Sequence, residues 1–440
     1  MKREWIGALV VALAIWAIAA PAEAFCGFYV AKADSQLFNR ASQVIIAREG
    51  PRTVLTMAND YQGDVKDFAL VVPVPVVLQK EQVNVGDRRI VERLDAFSAP
   101  RLVEYFDEDP CRPVYPASRE LRMRAAAPSA AVNEAARDNA LGVTIEAKFA
   151  VGEYDILILG ARESDGLVTW LTQNGYKLPR GARELLQPYI RDRQKFFVAR
   201  VNLKEAAKNG FTPLRPLQIA LESPRFGLPI RLGMANAQQE QDLLVYLLTP
   251  KGRVETTNYR TVEIPTDREV PEFVQTEFAK VYPALFERAH RQNGRNAVFV
   301  EYAWDAGNCD PCAAAPPTPE ELRQAGVFWL GGRRRPATVF VTRLHVRYGR
   351  DRFPEDLQFK ETPNQTLFQG RYIIRHPFRG ETACATGREY RQQTRARQEK
   401  EVQTLAQLTG WPVDSIRPKV DFLEAAKPTV AEPFWRKLWR

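Results

Sequence analysis

Two stretches of this chain read as copies of one another, and that likeness limits the folds open to it more than any other feature. Residues 50 to 75, GPRTVLTMANDYQGDVKDFALVVPVP, return in weaker form at residues 227 to 250 as GLPIRLGMANAQQEQDLLVYLLTP. They align without a gap from Gly50 with Gly227 to Asn59 with Asn236, sharing Leu55 with Leu232, Met57 with Met234 and the Ala-Asn pair that follows. The methionines weigh most, because only Met1, Met57, Met123 and Met234 occur in the chain. Asp67 and Asp242 then head apolar runs ending at Pro75 and Pro250, and Pro100 with Pro271 and Val103 with Val274 extend the match.

Each copy is expected to form a β-hairpin feeding a helix. Leu55 and Met57, like Ile230, Leu232 and Met234, recur at period two, which places them on one face of a half-buried strand with Asn59 and Asn236 in the turn. The runs 68 to 72 and 243 to 248 are short and continuously apolar, as in strands covered on both faces. Pro73 and Pro75 put the end of the first run at an edge. After a turn around Gly86 and Asp87, Leu102, Val103 and Phe106 recur at helical spacing and predict a helix from Pro100. The chain is therefore read as α+β, with mostly antiparallel sheets, flanking helices and an internally duplicated hairpin-plus-helix unit.

The remaining pattern is well punctuated. Strands are predicted at 143 to 151, 154 to 159, 196 to 203, 297 to 304 and 339 to 346. Ser164 caps a helix with Leu167, Trp170 and Leu171 on one face, ended by Asn174-Gly175, and a second helix over 183 to 191 turns Leu186, Tyr189 and Ile190 inward. Longer helices are expected over 271 to 292 and 388 to 409, the latter with Val402, Leu405 and Leu408 as a thin apolar stripe stopped by Gly410 and Pro412. These signals divide the chain into a signal peptide (1–24), a first β-rich repeat unit (25–115) and an Ala-rich linker or insertion (116–140). A strand and two-helix segment (141–195) follows, then a second β-rich repeat unit (196–315), a C-terminal β segment (316–384) and a polar helix with a basic aromatic tail (385–440). A chain of 440 residues, at roughly 150 per domain, holds two to three domains.

Lys2 and Arg3, the apolar core over 5 to 20 and Ala22-Glu23-Ala24 have the form of a secretory signal peptide cleaved near Ala24. No later stretch is long and apolar enough to span a bilayer. A periplasmic or secreted protein is expected, which also argues against nucleic acid as a partner. The net charge of +9 is mild and scattered apart from Arg333 to Arg335, giving an unspecific attraction to anionic polymer. Phe434, Trp435 and Trp439 in the basic tail allow at most peripheral contact with a membrane.

Five cysteines, Cys26, Cys111, Cys309, Cys312 and Cys384, are disulfide candidates in such a compartment; an odd number leaves one over, and spacing does not assign pairs. A bridge contributes about 2 to 4 kcal/mol, similar to burying one or two large apolar side chains, so each is expected to act as a local staple. Cys309-Asp310-Pro311-Cys312 follows a strand, as a redox C-x-x-C does. Pro316, Pro317 and Pro319 push the next helix away from Cys312, which removes the helix dipole that favours a thiolate and points to structural bridging. That cysteine pair is half a zinc site, but His290, His345 and His376 are widely separated, so neither a metal nor a cofactor is expected. His345 is read as a packing residue within its strand. There is no G-x-S-x-G elbow; Ser164 between Glu163 and Asp165 reads as a cap, and Asp64 with Asp67, and Asp107 to Asp109, as solvated turn charges.

FCGFYVAKAD after the signal peptide, DFALVVPVP, the ESDGLVTWLTQNGYKLP helix and the CDPC segment together resemble the DUF2330 family of exported bacterial proteins of unknown function, over most of residues 25 to 385. The resemblance implies export and supplies no activity, ligand or catalytic residue. The function expected is that of a non-catalytic binding or envelope-associated protein, with another envelope protein or an anionic surface polymer as partner. The alternative is a periplasmic thiol-disulfide oxidoreductase using Cys309 and Cys312.

Overall fold

The computed structural model describes residues 28–31, 38–62, 68–112, 143–161, 164–178, 181–201, 214–235, 240–308, 314–330 and 338–424. The largest sheet runs in the order β14 (Arg260–Glu263), β16 (Ala297–Asp305), β17 (Phe340–Tyr348), β12 (Gln241–Thr249), β2 (Phe38–Glu49), β3 (Arg52–Gln62), β10 (Leu217–Glu222) and β5 (Val83–Val85). A ninth strand, β19 (Phe368–Gln369), also pairs with β16. A five-stranded sheet has the order β1 (Phe28–Ala31), β4 (Phe68–Val74), β9 (Lys195–Val201), β8 (Tyr154–Ala161) and β7 (Val143–Val151). Two small sheets complete the set: β11 (Gly227–Leu228), β18 (Leu357–Glu361) and β13 (Val254–Thr256), and β15 (Arg268–Glu269), β20 (Arg371–His376) and β6 (Arg101–Phe106). Most pairings are antiparallel; β12 with β2, β14 with β16, and β20 with both β15 and β6 are parallel.

Period-two alternation explains how the layers stack. Val44, Ile46, Leu55, Met57, Val245 and Leu247 from one face of the large sheet share a buried cluster with Leu70, Val72, Ile156, Phe197 and Ala199 of the five-stranded sheet, so the two sheets pack face to face. The opposite residues of the smaller sheet, Val71, Leu159, Phe196 and Val198, are covered by α2 (Ser164–Gln173) and α3 (Ala182–Arg191). On the outer face of the larger sheet, Ile45, Ala47, Tyr246, Leu248 and Tyr302 are covered by α1 (Arg88–Ser98) and α5 (Pro319–Gln324). Asp87 caps α1 by accepting from the Arg89 amide at 2.9 Å, and Ile90, Val91, Leu94 and Phe97 line its buried face. The long α4 (Val274–Gln292) lays Phe286 against His345 and Phe299, and α6 (Ala385–Thr409) packs along α4 before the short α7 (Val413–Ile416).

The α+β class holds, as do the helices led by Leu167, by Leu186 and by Val402 and the left-handed glycines at Gly175 and Gly410 that end two of them. The duplication is not seen among the described residues. β3 runs on past Asn59 to Gln62, and β3 and β4 belong to different sheets instead of pairing as a hairpin. The aligned Leu232 and Met234 lie in a 3-10 turn, Arg231–Ala235. The segment after Pro100 is also a strand, not a helix: α1 ends just before it, and RLVEYF pairs along β20. A β-branched and aromatic run suits a pleated surface better than a helical one. The signal sequence, the 116–140 linker, Cys26, Cys309, Cys312, Asp64, Asp67, Arg333 to Arg335 and the tail with Phe434, Trp435 and Trp439 lie outside the described residues.

Candidate functional site

A cavity of about 130 Å³ opens at one end of the two-sheet sandwich, walled by the ends of β2, β3 and β4, the end of α3 and the segment 221–231. Local rules assemble it. β2 and β3 are joined by Gly50-Pro51, with Gly50 at φ +59°, a conformation glycine adopts freely, and the tight turn sets Arg48 opposite Thr53. β10 lies beside β3, so the chain leaving Glu222 meets the same turn, where the Ser223 amide donates to the Pro51 carbonyl at 2.9 Å. Residues 223 to 226 therefore wrap around the Arg48 side chain.

Arg48 is 8 % exposed. Its Nη1 donates to Thr53 Oγ1 at 2.7 Å and its Nη2 to the Ser223 carbonyl at 3.0 Å, and its guanidinium lies 4.8 Å from the centre of the Phe226 ring. All these partners are neutral. Among the described residues no carboxylate reaches ion-pairing distance of Arg48, and burial, opposed only by the longer-range pull of Glu361, lowers its pKa below that of a free guanidinium. The charge is thus held at close range by a hydroxyl, backbone carbonyls and a ring face, with Glu361 acting only from farther away.

The neighbouring cations are already matched. Arg225 Nη1 lies 2.6 Å from Asp192 Oδ2, and Arg231 Nη2 lies 3.1 Å from Asp356 Oδ2. Asp356 Oδ1 accepts from the Tyr189 hydroxyl at 2.7 Å and from the amides of Ile230 and Arg231 at 3.0 and 3.1 Å, so the 3-10 turn is clamped onto α3. Three arginines against two aspartates leave this pocket one positive charge in surplus. Ile46, Leu55, Val74, Leu221 and Leu228 supply apolar walls.

A second polar assembly lies in the interior of the large sheet. Arg343, His345 and Arg347 alternate along β17 and so face one way. His345 Nδ1 is 2.7 Å from Glu301 Oε1 and its Nε2 3.2 Å from Asp242 Oδ1; Arg343 donates to Glu301 Oε2 and to Asp95 Oδ1, each at 2.6 Å. Arg347 binds Asp242 Oδ2 at 2.6 Å and Glu287 Oε2 at 2.9 Å, while the Tyr282 hydroxyl meets Glu301. Burial would raise the Glu301 pKa, but His345 and Arg343 outweigh it and hold the carboxyl at about 2. Burial would likewise lower the His345 pKa, and Glu301 and Asp242 instead lift it to about 9. These groups satisfy each other.

The sequence candidates fall in scattered places. Cys111 and Cys384 form a disulfide across a separation of 273 residues, joining the stretch after β6 to the N-cap of α6, which makes it a long-range tie, not a local staple. His345 belongs to the ionic assembly and is more than packing. His290 lies fully buried in α4, its ring centroid 6.1 Å from Phe286, which also stacks on His345 at 3.7 Å. His376 sits between Glu104 and Glu272 at 2.8 and 3.0 Å. Asp107 is not a free turn charge: Tyr390 Oη and Arg397 Nη2 each approach it to 2.7 Å. Among the described residues no group of three or more His, Cys, Asp or Glu is arranged to hold a metal ion, and no helix is long and apolar enough to cross a membrane.

Sequence reasoning missed Arg48, Arg231 and Asp356. Arg48 stands next to the end of an apolar strand like any solvated terminal charge, and beyond nearby Thr53 its partner Ser223 comes from 175 residues away. Comparison with curated proteins and with solved structures gives no match. One family model does match, over residues 20–360 and so well over half of the chain, and on that match the chain belongs to the DUF2330 family, described as an uncharacterized protein conserved in bacteria.

Proposed function

We propose that this is an exported, non-catalytic binding protein whose Arg48 pocket receives a carboxylate presented by a larger partner. The observation that carries the reading is the buried Arg48 guanidinium with only neutral partners beside an open cavity. Volume decides between a free ligand and a projecting group. Sites that enclose a drug-sized molecule span about 300 to 1,000 Å³, whereas about 130 Å³ suits an acidic side chain or a single acidic residue of a polymer. The signal-peptide pattern over 1–24 supports export, with acidic envelope proteins and anionic surface polymers as the partners within reach. No described feature favours the thiol oxidoreductase alternative.

Isothermal titration calorimetry of the purified protein against a glutamate-rich peptide and against a carboxylated polysaccharide tests the proposal and separates the two sources. Saturable binding of either is expected, with Arg48→Gln weakening it by more than about tenfold, the loss of one charge-assisted hydrogen-bonded contact. Absence of binding by both probes, or equal affinity in Arg48→Gln, overturns it. N-terminal sequencing of the protein recovered from the periplasm or the medium is expected to begin at Phe25; recovery of the full-length chain from the cytosol removes the export element.

A further inference from the structure

We propose that the open edge of β6 is a second docking surface, separate from the Arg48 pocket, which takes an extended Lys- or Arg-bearing segment of another protein by strand addition. β6 pairs only with β20 among the described residues, in parallel register from Arg101 with Arg371 to Phe106 with His376. The Arg101 amide donates to the Gly370 carbonyl at 3.0 Å and the Asp107 amide to the His376 carbonyl at 2.9 Å. A parallel ladder repeats every two residues, so the backbone groups of Arg101, Val103, Tyr105 and Asp107 point to β20 and those of Leu102, Glu104 and Phe106 to the other side. That side is a row of donors and acceptors of the kind an added strand uses.

The side chains on this edge are aromatic and acidic. Phe106 is 73 % exposed and Tyr105 45 %. Both rings are held in place from behind: Phe106 stacks on His376 with centroids 4.4 Å apart, and the Arg375 guanidinium lies 5.2 Å from the Tyr105 ring centre. One face of each ring is thereby occupied by this chain's own basic groups, and the remaining aromatic surface is of the kind that accepts a cation. Glu104, which also bonds His376 and Gln275, adds negative charge on the strand, and just past its end Glu108 and Asp109 line a hollow with Arg112 and Arg397. The edge is also rigidly mounted, since Asp107 is bound by Tyr390 and Arg397 and Cys111 by Cys384.

Charge selects the occupant. A second copy of this edge would bring Glu104, Glu108 and Asp109 toward their own counterparts, a like-charge arrangement by which exposed strands avoid pairing with themselves. A basic strand gains the backbone ladder, the carboxylates and the ring faces together.

Fluorescence anisotropy of the intact protein with short synthetic strands alternating lysine and valine tests this. Saturable binding is expected, weakened about tenfold or more when glutamate replaces lysine and about tenfold by Phe106→Ser. N-methylation of alternate peptide bonds is expected to abolish binding in one phase and leave it nearly unchanged in the other, which pure charge attraction does not do. Circular dichroism checks that Phe106→Ser is folded, and the N-methyl comparison uses the unaltered protein. Failure of the lysine strand to bind the intact chain, whatever fills the edge instead, overturns the proposal, as does equal tolerance of N-methylation in both phases.

Discussion

The Arg48 pocket and the Glu301–His345 assembly are both buried and both charged, yet they are opposite solutions to burying charge. At Glu301 every ion faces a counter-ion: His345 and Arg343 meet the carboxylate, and Asp242 and Asp95 meet the cations in turn. Removing one member strands the others in low dielectric. At Arg48 the guanidinium rests on a hydroxyl, backbone carbonyls and a ring face, next to an open cavity. Removing it strands nothing charged. On the proposed reading, the difference separates a structural use of buried charge from one kept available for a partner.

Glu301→Ala is the change expected to do most, because it leaves Arg343 and His345 buried without their shared carboxylate. A loss of about 3–5 kcal/mol is expected in urea unfolding; a loss below about 1 kcal/mol would erase the distinction drawn above.

The pH dependence sharpens the same contrast at a smaller scale. His345 has a folded pKa of about 9 against an ordinary 6.5, so its stabilisation is complete below about 6.5 and disappears as pH rises toward 9. Glu301 and Asp242 are depressed to about 2 from 4.5 and 3.8, so their stabilisation is present above those ordinary values and disappears as pH falls toward 2. A plateau of stability between about pH 5 and 6.5 is expected, with on the order of 2–3 kcal/mol lost by pH 9. Urea midpoints across pH check this, and the alkaline decline should flatten in Glu301→Gln.

The smallest effect is expected at the pocket. Arg48→Met keeps the volume of the stem and removes a charge with no ionic partner, so the unfolding free energy should move by less than about 1 kcal/mol in either direction. A destabilisation as large as that of Glu301→Ala, measured side by side, would make Arg48 a structural residue and remove its availability to a ligand.

Much of the scaffold was legible because its signals are local. The stripe of Leu167, Trp170 and Leu171, the caps at Gly175 and Gly410 and the apolar runs of β9, β12 and β17 lie within a few residues of one another. Likeness between the segments at 50 and 227 misled, since a shared Leu-x-Met-Ala-Asn pattern does not fix backbone state: Met57 lies in a strand and Met234 in a 3-10 turn. Helical spacing at Leu102, Val103 and Phe106 was outweighed by pairing with β20, a strand some 270 residues later. One clue to the ionic assembly was readable, the alternation of Arg343, His345 and Arg347 in an otherwise apolar strand. Nothing near Arg48 announces Ser223 or Phe226, and five cysteines do not reveal which two meet.

The bond between Cys111 and Cys384 closes most of the polypeptide into a covalent ring. A protease that severs one peptide link anywhere inside that ring produces two ends but no separate fragments, so a nicked molecule travels as a single species until a reductant is added. Turnover of such a protein would then be gated by thiol chemistry as well as by proteolysis.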